Sequence, residues 1–400
     1  MGKVRTSERS RSIEYAIRDV AVYANEVAKS GKNIYYLNIG DPVAFDFDTP
    51  SHIKEALIRA VQEGANSYSP SEGLPELRQA ISQRESKVSG ADVQADNVIV
   101  TTGISEGIQM VLGALIEGGD ELLMPGPAYP PYISYAKFFG GRPVTYETVE
   151  EDGWQPNVDD IRRKVSNRTR GIVIINPNNP TGALYKEKVL KEILNVAGSH
   201  GLPVISDEIY DRIVYGERFV SAARLAKDVP VIGLNGFSKA YLMTGWRLGY
   251  MYFHDKRDEL QELKESVLKE ARIRLCANTP VQKAGVAALN GPQDHIGEMV
   301  ERLKERRDYA QKRLNEIEGV SSTKPEGAFY IFPRIHEVGT RWKSDRDFVL
   351  ELLRKTGVLL VHGSGFDPKS GAGHVRAVIL PPLETMESAF TELERFMMRK

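Results

Sequence analysis

Residues 169–182 read TRGIVIINPNNPTG and residues 202–210 read LPVISDEIY, so two β-branched runs each end in polar and turn-forming residues. A short apolar run that ends this way is typical of a strand buried on both faces of a parallel sheet. Four apolar residues between the runs recur at helical spacing and predict one buried helix face: Leu190, Ile193, Leu194 and Ala197. The order strand, helix, strand predicts an α/β fold here.

The same alternation extends in both directions, from about residue 97 to residue 253. Five further apolar runs are predicted strands: NVIVTTG, ELLMPGP, RPVTYETV, VIGLNGF and RLGYMYF. A second buried helix face is predicted by Ile108, Val111, Leu112 and Leu115. Together these segments predict a mainly parallel sheet with helices on both faces.

The pattern changes after about residue 255, where longer helices rich in charged residues begin, including one from Gln293 to Glu318. The C-terminal part returns to mixed elements, with GAFYIFP and HVRAVIL as predicted strands. The apolar face of a closing helix follows: Met386, Ala389, Phe390, Leu393, Phe396 and Met397. A chain of 400 residues exceeds what one hydrophobic core usually organises. We expect an N-terminal arm with part of the small domain at 1–48, a large α/β domain at 49–290 and a small α+β domain at 291–400.

The composition argues against several classes of function. Lys and Arg number 53 against 54 Asp and Glu, so no long-range field attracts nucleic acid or an anionic membrane. No stretch approaches the ~20 apolar residues of a membrane span. The single cysteine, Cys276, cannot form an internal disulfide and favours a reducing compartment, so the cytoplasm is the expected location. His336, His362 and His374 lack metal-ligand spacing, and no metal site is predicted.

The segment NGFSKAYLMTGWRLGY at residues 235–250 places Lys239 after a short apolar run and Arg247 eight positions later. Taken alone, these two residues are more simply a solvated lysine and an ion-paired arginine. Six further motifs accompany them along the chain: NIGDP at 38–42, VTTGISEG at 100–107, PGPAYPPY at 125–132, INPNNPTG at 175–182, ISDEIY at 205–210 and HVRAVIL at 374–380. With these motifs the chain resembles the class I and II aminotransferases of the fold-type-I pyridoxal-phosphate superfamily over nearly its whole length.

This resemblance implies a pyridoxal 5′-phosphate cofactor bound covalently to Lys239, which also acts as acid and base. The cofactor ring is needed because an amino acid's α-proton is too weakly acidic to remove at neutral pH unless the ring accepts the electrons. Asp207 matches the carboxylate that keeps the ring nitrogen protonated, since a nearby opposite charge favours the cation. Tyr210 and Asn179 match residues that hydrogen-bond the phenolic oxygen. The structural alternatives are that Asp207 caps a helix N-terminus or forms a salt bridge, and that Asn179 is a turn residue.

The cofactor phosphate needs backbone donors and positive charge. Arg247 matches the family's phosphate-binding arginine. Many relatives carry a phosphate-binding serine where this chain has Gly236, so either Ser238 replaces that contact or nothing does. A strand-to-helix turn offers the backbone N–H groups of Gly103, Ile104 and Ser105.

Four more residues complete the site that the resemblance implies. Tyr129 matches the aromatic residue that stacks on the cofactor ring, with a core tyrosine as the alternative. Tyr68 resembles the tyrosine that reaches the phosphate of the neighbouring subunit, which implies a homodimer with shared active sites; a surface tyrosine would make dimerisation optional. Arg376 matches the arginine that binds the substrate's α-carboxylate with a planar fork that lysine lacks, with a buried ion-paired arginine as the alternative. Gly40 would let the backbone approach that carboxylate, which Asn179 also contacts.

The function implied is transamination between an L-amino acid and a 2-oxo acid. The segments LNIGDPVAFDF, RIRLCANTP and KPEGAFYIFP are most similar to prokaryotic alanine aminotransferases, which favours alanine plus 2-oxoglutarate giving pyruvate plus glutamate. Enzymes for aromatic amino acids, aspartate or 2-aminoadipate stay alternatives, as does a cysteine-S-conjugate β-lyase or γ-synthase on the same scaffold. A ligand-sensing module joined to a DNA-binding domain is disfavoured, because the lysine is intact and little sequence precedes NIGDP.

Overall fold

The computed structural model describes residues 4–11, 13 and 15–398. The strands of this part of the chain are β1 Tyr35–Tyr36, β2 Val98–Thr101, β3 Glu121–Gly126, β4 Arg142–Val149, β5 Gln155–Pro156, β6 Thr169–Ile175, β7 Val204–Asp207, β8 Val231–Gly236, β9 Gly249–His254, β10 Val320–Ser321, β11 Tyr330–Ile331, β12 Arg334–Ile335, β13 Val358–Leu359, β14 Val361–His362 and β15 Val375–Val378. The largest sheet has eight strands in the order β2-β9-β8-β7-β6-β3-β4-β5. Neighbouring strands from β8 to β4 run parallel, whereas β9 is antiparallel to both its neighbours and β5 to β4.

Helices cover both faces of this sheet. In the described part of the chain the helices are α1 Glu8–Arg11, α2 Ala16–Lys29, α3 Ser51–Gln62, α4 Pro75–Arg84, α5 Ile104–Leu115, α6 Pro130–Phe138, α7 Val158–Lys164, α8 Glu187–Ser199, α9 Ala222–Leu225, α10 Gln261–Arg274, α11 Thr279–Asn290, α12 Asp294–Asn315, α13 Asp345–Thr356 and α14 Leu383–Met398. In β6, Ile172 and Ile174 pack into one hydrophobic cluster with α8, while Val173 and Ile175 pack into another with α5 and α6. Because both faces are buried, the strand is apolar at every position from Ile172 to Ile175.

Small sheets are formed mainly by the C-terminal part of the chain. Strand β15 lies between β11 and β14 and is antiparallel to both, and β10 pairs with β12. Strand β1 pairs in parallel with β13, with Tyr35 opposite Val358. The N-terminal segment is therefore tied to C-terminal elements, as expected for a small domain built from both ends of the chain. The boundaries near residues 48 and 290 stay predictions.

The predicted strands of the large sheet are confirmed as β2, β3, β4, β6, β7, β8 and β9. The four predicted apolar residues of α8 are buried, as are all six of α14, whereas Leu115 at the end of α5 is only half-buried. The long charged helix is confirmed as α12. The segment GAFYIFP forms a strand only at Tyr330–Ile331, because Ala328 has a φ of 55°, outside the extended region. The two-residue strands β1, β5, β10, β12, β13 and β14 were not predicted.

Within residues 4–11, 13 and 15–398, no helix combines the length and the apolar character needed to cross a membrane. The same residues include no group of three or more His, Cys, Asp or Glu side chains arranged to hold a metal ion.

Candidate active site

A cavity of about 500 Å³ opens where the parallel strands end. Ile175 ends β6, Asp207 ends β7, and Lys239 follows β8, so the carboxyl edge of the sheet forms its floor. This edge is where open α/β sheets bind ligands. The cavity brings together eleven of the predicted site residues: Gly40, Ile104, Ser105, Tyr129, Asn179, Asp207, Tyr210, Ser238, Lys239, Arg247 and Arg376.

Lys239 directs its amine into this cavity. Its Nζ donates a 2.6 Å hydrogen bond to the carbonyl oxygen of Gly40. Burial lowers the pKa of Lys239 to about 8; Asp41 opposes this change, and the positive charge of Arg376 adds to it. A substantial fraction of the amine is therefore neutral near physiological pH, as a nucleophile or general base requires.

Asp207 is a buried carboxylate at the cavity floor, 3% exposed. Tyr132 donates a 3.0 Å hydrogen bond to its Oδ2, and the backbone N–H of Ile209 lies 3.3 Å from its Oδ1. Burial raises the pKa of Asp207 to about 6, despite these hydrogen bonds and the positive charge of Lys239. An ionised carboxylate in this position is stabilised by a cation placed beside it.

An anion-binding corner lies at the N-terminus of α5. Gly103 precedes the helix with a φ of 77°, and a Cβ there would lie 2.4 Å from Nη2 of Arg247. Arg247 donates a 3.0 Å hydrogen bond to the carbonyl of Thr244, which fixes its guanidinium beside the turn. Glycine suits this turn because of its positive φ, and a Cβ would displace the Arg247 guanidinium from its present place beside the helix N-terminus, where backbone N–H groups and the helix dipole favour anions.

Gly236 lies in β8, which is paired with β9, and it is absent from the cavity lining. A Cβ at this position would lie 3.0 Å from Cα of Gly249 and 3.1 Å from the carbonyl oxygen of Leu248. The close approach of the two strands therefore disfavours a serine here. Ser238 does line the cavity, so it is the hydroxyl available to an anion on this side.

Arg376 is 1% exposed and fixed by two acceptors. Its Nη1 donates to Oδ1 of Asn179 at 3.0 Å, and its Nη2 donates to the carbonyl of Asn38. Its Nε has no partner among the described residues, and its guanidinium lies 4.6 Å from the ring centre of Tyr330. A buried guanidinium without a carboxylate partner is costly, and an anionic ligand would offset that cost.

Four tyrosines line the cavity: Tyr15, Tyr129, Tyr210 and Tyr330. The hydroxyls of Tyr210 and Tyr330 are 2.7 Å apart, and those of Tyr129 and Tyr15 are 3.3 Å apart. Burial raises the pKa of Tyr210 and of Tyr129, so both stay protonated and can donate hydrogen bonds. Tyr68 lies apart from the cavity and is 79% exposed.

Several lining residues were not predicted from the sequence. Asp41 accepts a 2.8 Å hydrogen bond from Thr244, and Tyr15 and Arg18 reach the cavity from the start of α2. Asp41 lies in the motif NIGDP and Tyr330 in the segment KPEGAFYIFP, so the sequence contained a signal from which both could have been predicted. No sequence motif marks Tyr15 or Arg18, because their position depends on packing against residues more than 100 positions away.

The donor set fits pyridoxal 5′-phosphate. The cavity holds an amine for the aldehyde, a buried carboxylate for the ring nitrogen, and a helix N-terminus with an arginine for the phosphate. A Cβ at position 103 would clash with the guanidinium of Arg247, so the present arrangement of the anion-binding corner depends on glycine there.

Comparisons with known proteins agree with this geometry. The family described as aminotransferase class I and II matches residues 32–392. Glutamate-pyruvate aminotransferase AlaA of Escherichia coli (strain K12) is 38% identical over 402 residues, covering 99% of this chain and 98% of that protein. The solved structure of an alanine aminotransferase from Pyrococcus furiosus is 56% identical, with a TM-score of 0.97 and coverage of 99% of this chain and 100% of the other. A probable aspartate/prephenate aminotransferase from Aquifex aeolicus is 38% identical over 87% of each chain.

Proposed function

Because the chain belongs to the class I and II aminotransferases and is a pyridoxal-phosphate-dependent enzyme, we propose that it exchanges amino groups between alanine and 2-oxoglutarate, giving pyruvate and glutamate, in both directions. The observation that carries this proposal is the convergence of Lys239, Asp207 and Arg376 on one cavity, in a chain similar over its whole length to enzymes named for alanine or glutamate-pyruvate transamination.

When bound, pyridoxal phosphate supplies an aldehyde that takes up the amino group and a ring that accepts the electron pair left at the substrate Cα. In our proposal Lys239 holds the cofactor covalently and, once displaced by the substrate amine, carries the proton from Cα. Its pKa of about 8, lowered by burial, suits a group that must alternately accept and donate a proton near neutral pH.

The substrate is oriented by its α-carboxylate in this proposal. Arg376 binds that group with its fork, and Asn179, already hydrogen-bonded to Arg376, contacts it beside the lysine. Gly40 brings its backbone to the cavity lining beside Tyr330. A Cβ at this position would clash with the Tyr330 hydroxyl, so glycine is what permits this close approach. Holding the carboxylate in this way presents the Cα proton to Lys239.

Other residues hold the cofactor and tune its ring. Asp207 keeps the ring nitrogen protonated, Tyr210 donates to the phenolic oxygen, and Tyr129 stacks against the ring. The phosphate is held by Arg247 and by the turn before α5 together with Ser238: Gly103, Ile104 and Ser105. Each of these roles is a proposal supported by the position of the residue around one cavity.

We also propose a homodimer in which Tyr68 of each chain reaches the phosphate of the partner subunit. Its 79% exposure and its position outside its own cavity are what such a role requires. The cytoplasmic location expected from the sequence stays a prediction. Sedimentation of the purified protein tests the dimer, and a monomer with full activity would contradict it.

A matrix of amino donors against 2-oxo acids tests the substrates. We expect alanine with 2-oxoglutarate and glutamate with pyruvate to give the highest kcat/KM. Aspartate, aromatic amino acids and 2-aminoadipate are the donors to compare, and cystathionine with an ammonia assay tests the lyase alternative. A higher kcat/KM for any of these than for alanine would overturn the assignment.

A further inference from the structure

Four cationic side chains line the cavity: Lys239, Arg247, Arg376 and Arg18. The first three each donate a hydrogen bond to a protein acceptor, to Gly40, Thr244 and Asn179 respectively. Arg18 is exposed, and within the described part of the chain it has no side-chain hydrogen bond or ion pair. It is also the one cation of the four to which the proposed reaction gives no task.

Arg18 is nevertheless held at the rim by its helix. It lies in the first turn of α2, where Ile17 and Val20 are buried in the main hydrophobic cluster. Its backbone N–H donates to the carbonyl of Tyr15 at 2.9 Å, and the Tyr15 hydroxyl lies 3.3 Å from that of Tyr129. The neighbouring acid, Asp19, turns back to accept from the backbone N–H of Tyr15 at 3.2 Å. The guanidinium therefore stands at the cavity mouth, and no carboxylate of residues 4–11, 13 and 15–398 neutralises it.

The proposed substrates differ in one anionic group. Alanine and pyruvate carry only the carboxylate that Arg376 takes, whereas glutamate and 2-oxoglutarate carry a second carboxylate two methylenes further on. That second group needs a cation at some distance from Arg376. Among the described residues, the two acidic side chains that line the cavity, Asp41 and Asp207, would repel it.

We propose that Arg18 binds the side-chain carboxylate of glutamate and 2-oxoglutarate and so sets the preference for five-carbon dicarboxylates; this inference rests on the proposed function. When alanine or pyruvate is bound, Arg18 stays hydrated at the rim and nothing is lost. One cavity thus serves both halves of the reaction without rearranging its buried arginine.

The test uses the holoenzyme and follows each half-reaction separately by the absorbance of the bound cofactor. Arg18→Gln removes the charge, Arg18→Lys keeps it without the fork, and Lys29→Gln removes an exposed charge from the far end of the same helix. We expect Arg18→Gln to lower kcat/KM for glutamate and 2-oxoglutarate about 10- to 100-fold, the size of a charge-assisted hydrogen bond, and to change alanine and pyruvate by less than about twofold. Arg18→Lys should fall between the wild type and Arg18→Gln, and Lys29→Gln should match the wild type.

A binding measurement separates specificity from a structural role. Glutarate and propionate share one carboxylate contact, and only glutarate offers a second. Calorimetry should therefore give weaker glutarate binding by Arg18→Gln, with propionate binding unchanged. Equal losses for alanine and glutamate, or no loss for either, would overturn the inference. A wild-type enzyme that accepts no dicarboxylate would instead overturn the proposed function, and the inference with it.

Discussion

Replacing Asp207 with Asn should stabilise the cofactor-free protein while disabling the enzyme. Burial raises the pKa of Asp207 from 3.8 to about 6, so the folded chain holds an ionised carboxylate at an energetic disadvantage. The sign follows from the direction of the shift: the penalty is absent below pH 3.8, grows as pH rises, and is complete above pH 6. The difference of about two units between the pKa of Asp207 in the unfolded and folded chains lowers the free energy of unfolding by about 3 kcal/mol at high pH.

The neutral asparagine side chain avoids most of the free-energy cost of burying an ionised carboxylate. It keeps one acceptor, so one of the two contacts from Tyr132 and Ile209 is lost, at a cost of about 1 kcal/mol. The net gain for the cofactor-free protein is then about 2 kcal/mol at pH 8. Between pH 5 and pH 8 the advantage over the wild type should grow by about 1.4 kcal/mol, or about 2 °C in Tm for a chain of this length.

Thermal unfolding of the cofactor-free wild type and Asp207→Asn at pH 5 and pH 8 measures how the stability advantage of the variant increases with pH. The matched control is Asp258→Asn, which changes an exposed acid and should differ from the wild type equally at both pH values. In the presence of cofactor, Asp207→Asn should lose at least about 100-fold in transamination rate, because the ring nitrogen loses its counter-charge. A stability difference that does not change with pH, or a fully active variant, would refute the reasoning.

Three other variants test separate parts of the site and fold. Lys239→Ala should abolish borohydride trapping of the cofactor at residue 239 and lower activity by at least about 10³-fold; mass spectrometry that finds the cofactor trapped at another lysine would contradict this. Burial lowers the pKa of Lys239 to about 8 against the opposing charge of Asp41, so Asp41→Asn should lower it further, by up to about one pH unit, measured by the pH dependence of Lys239 acetylation in cofactor-free protein. An unchanged titration would exclude that role. Although burial acts in the opposite direction, hydrogen bonds from His374 and Arg334 hold the pKa of Glu150 at about 2, so its contribution is complete above pH 4.5 and is lost as pH falls through 2. Glu150→Gln should therefore cost up to about 3 kcal/mol at pH 7 and less at pH 3.5, and an equal cost at both would argue against the pairing.

The strands of the large sheet were predictable because burial on both faces leaves one signature, an uninterrupted apolar run. Residues 172–175 of β6 are all buried, and alternate side chains enter two different clusters. The site residues at strand ends were predictable for a related reason. Asp207 and Lys239 come directly after apolar runs, and parallel strands bring their carboxyl ends to one edge.

Other parts of the site depend on contacts that no local pattern encodes. Tyr15 meets Tyr129 across 114 positions, and that contact brings Arg18 to the cavity. Tyr132 lies inside a recognised motif, yet its hydrogen bond to Asp207 depends on how α6 packs against the end of β7. The motif predicts that a tyrosine is present, and only the packed structure indicates which tyrosine contacts the carboxylate.

Arg376 is buried and Arg18 is exposed, and this difference is consistent with the carboxylate that each would bind in the proposed reaction. Every amino acid and 2-oxo acid in the reaction carries an α-carboxylate. If Arg376 binds that group as proposed, its ligand comes with every substrate, which is consistent with its burial and its hydrogen bond to Asn179. The second carboxylate is present in only half of the substrates. A buried arginine waiting for it would be an unpaired charge whenever alanine bound, and such a charge costs several kcal/mol. An exposed Arg18 avoids that cost because water replaces the absent carboxylate. If Arg18 binds the second carboxylate as proposed, its place at the hydrated rim, where α2 begins, lets one cavity accept both alanine and glutamate without a buried unpaired charge.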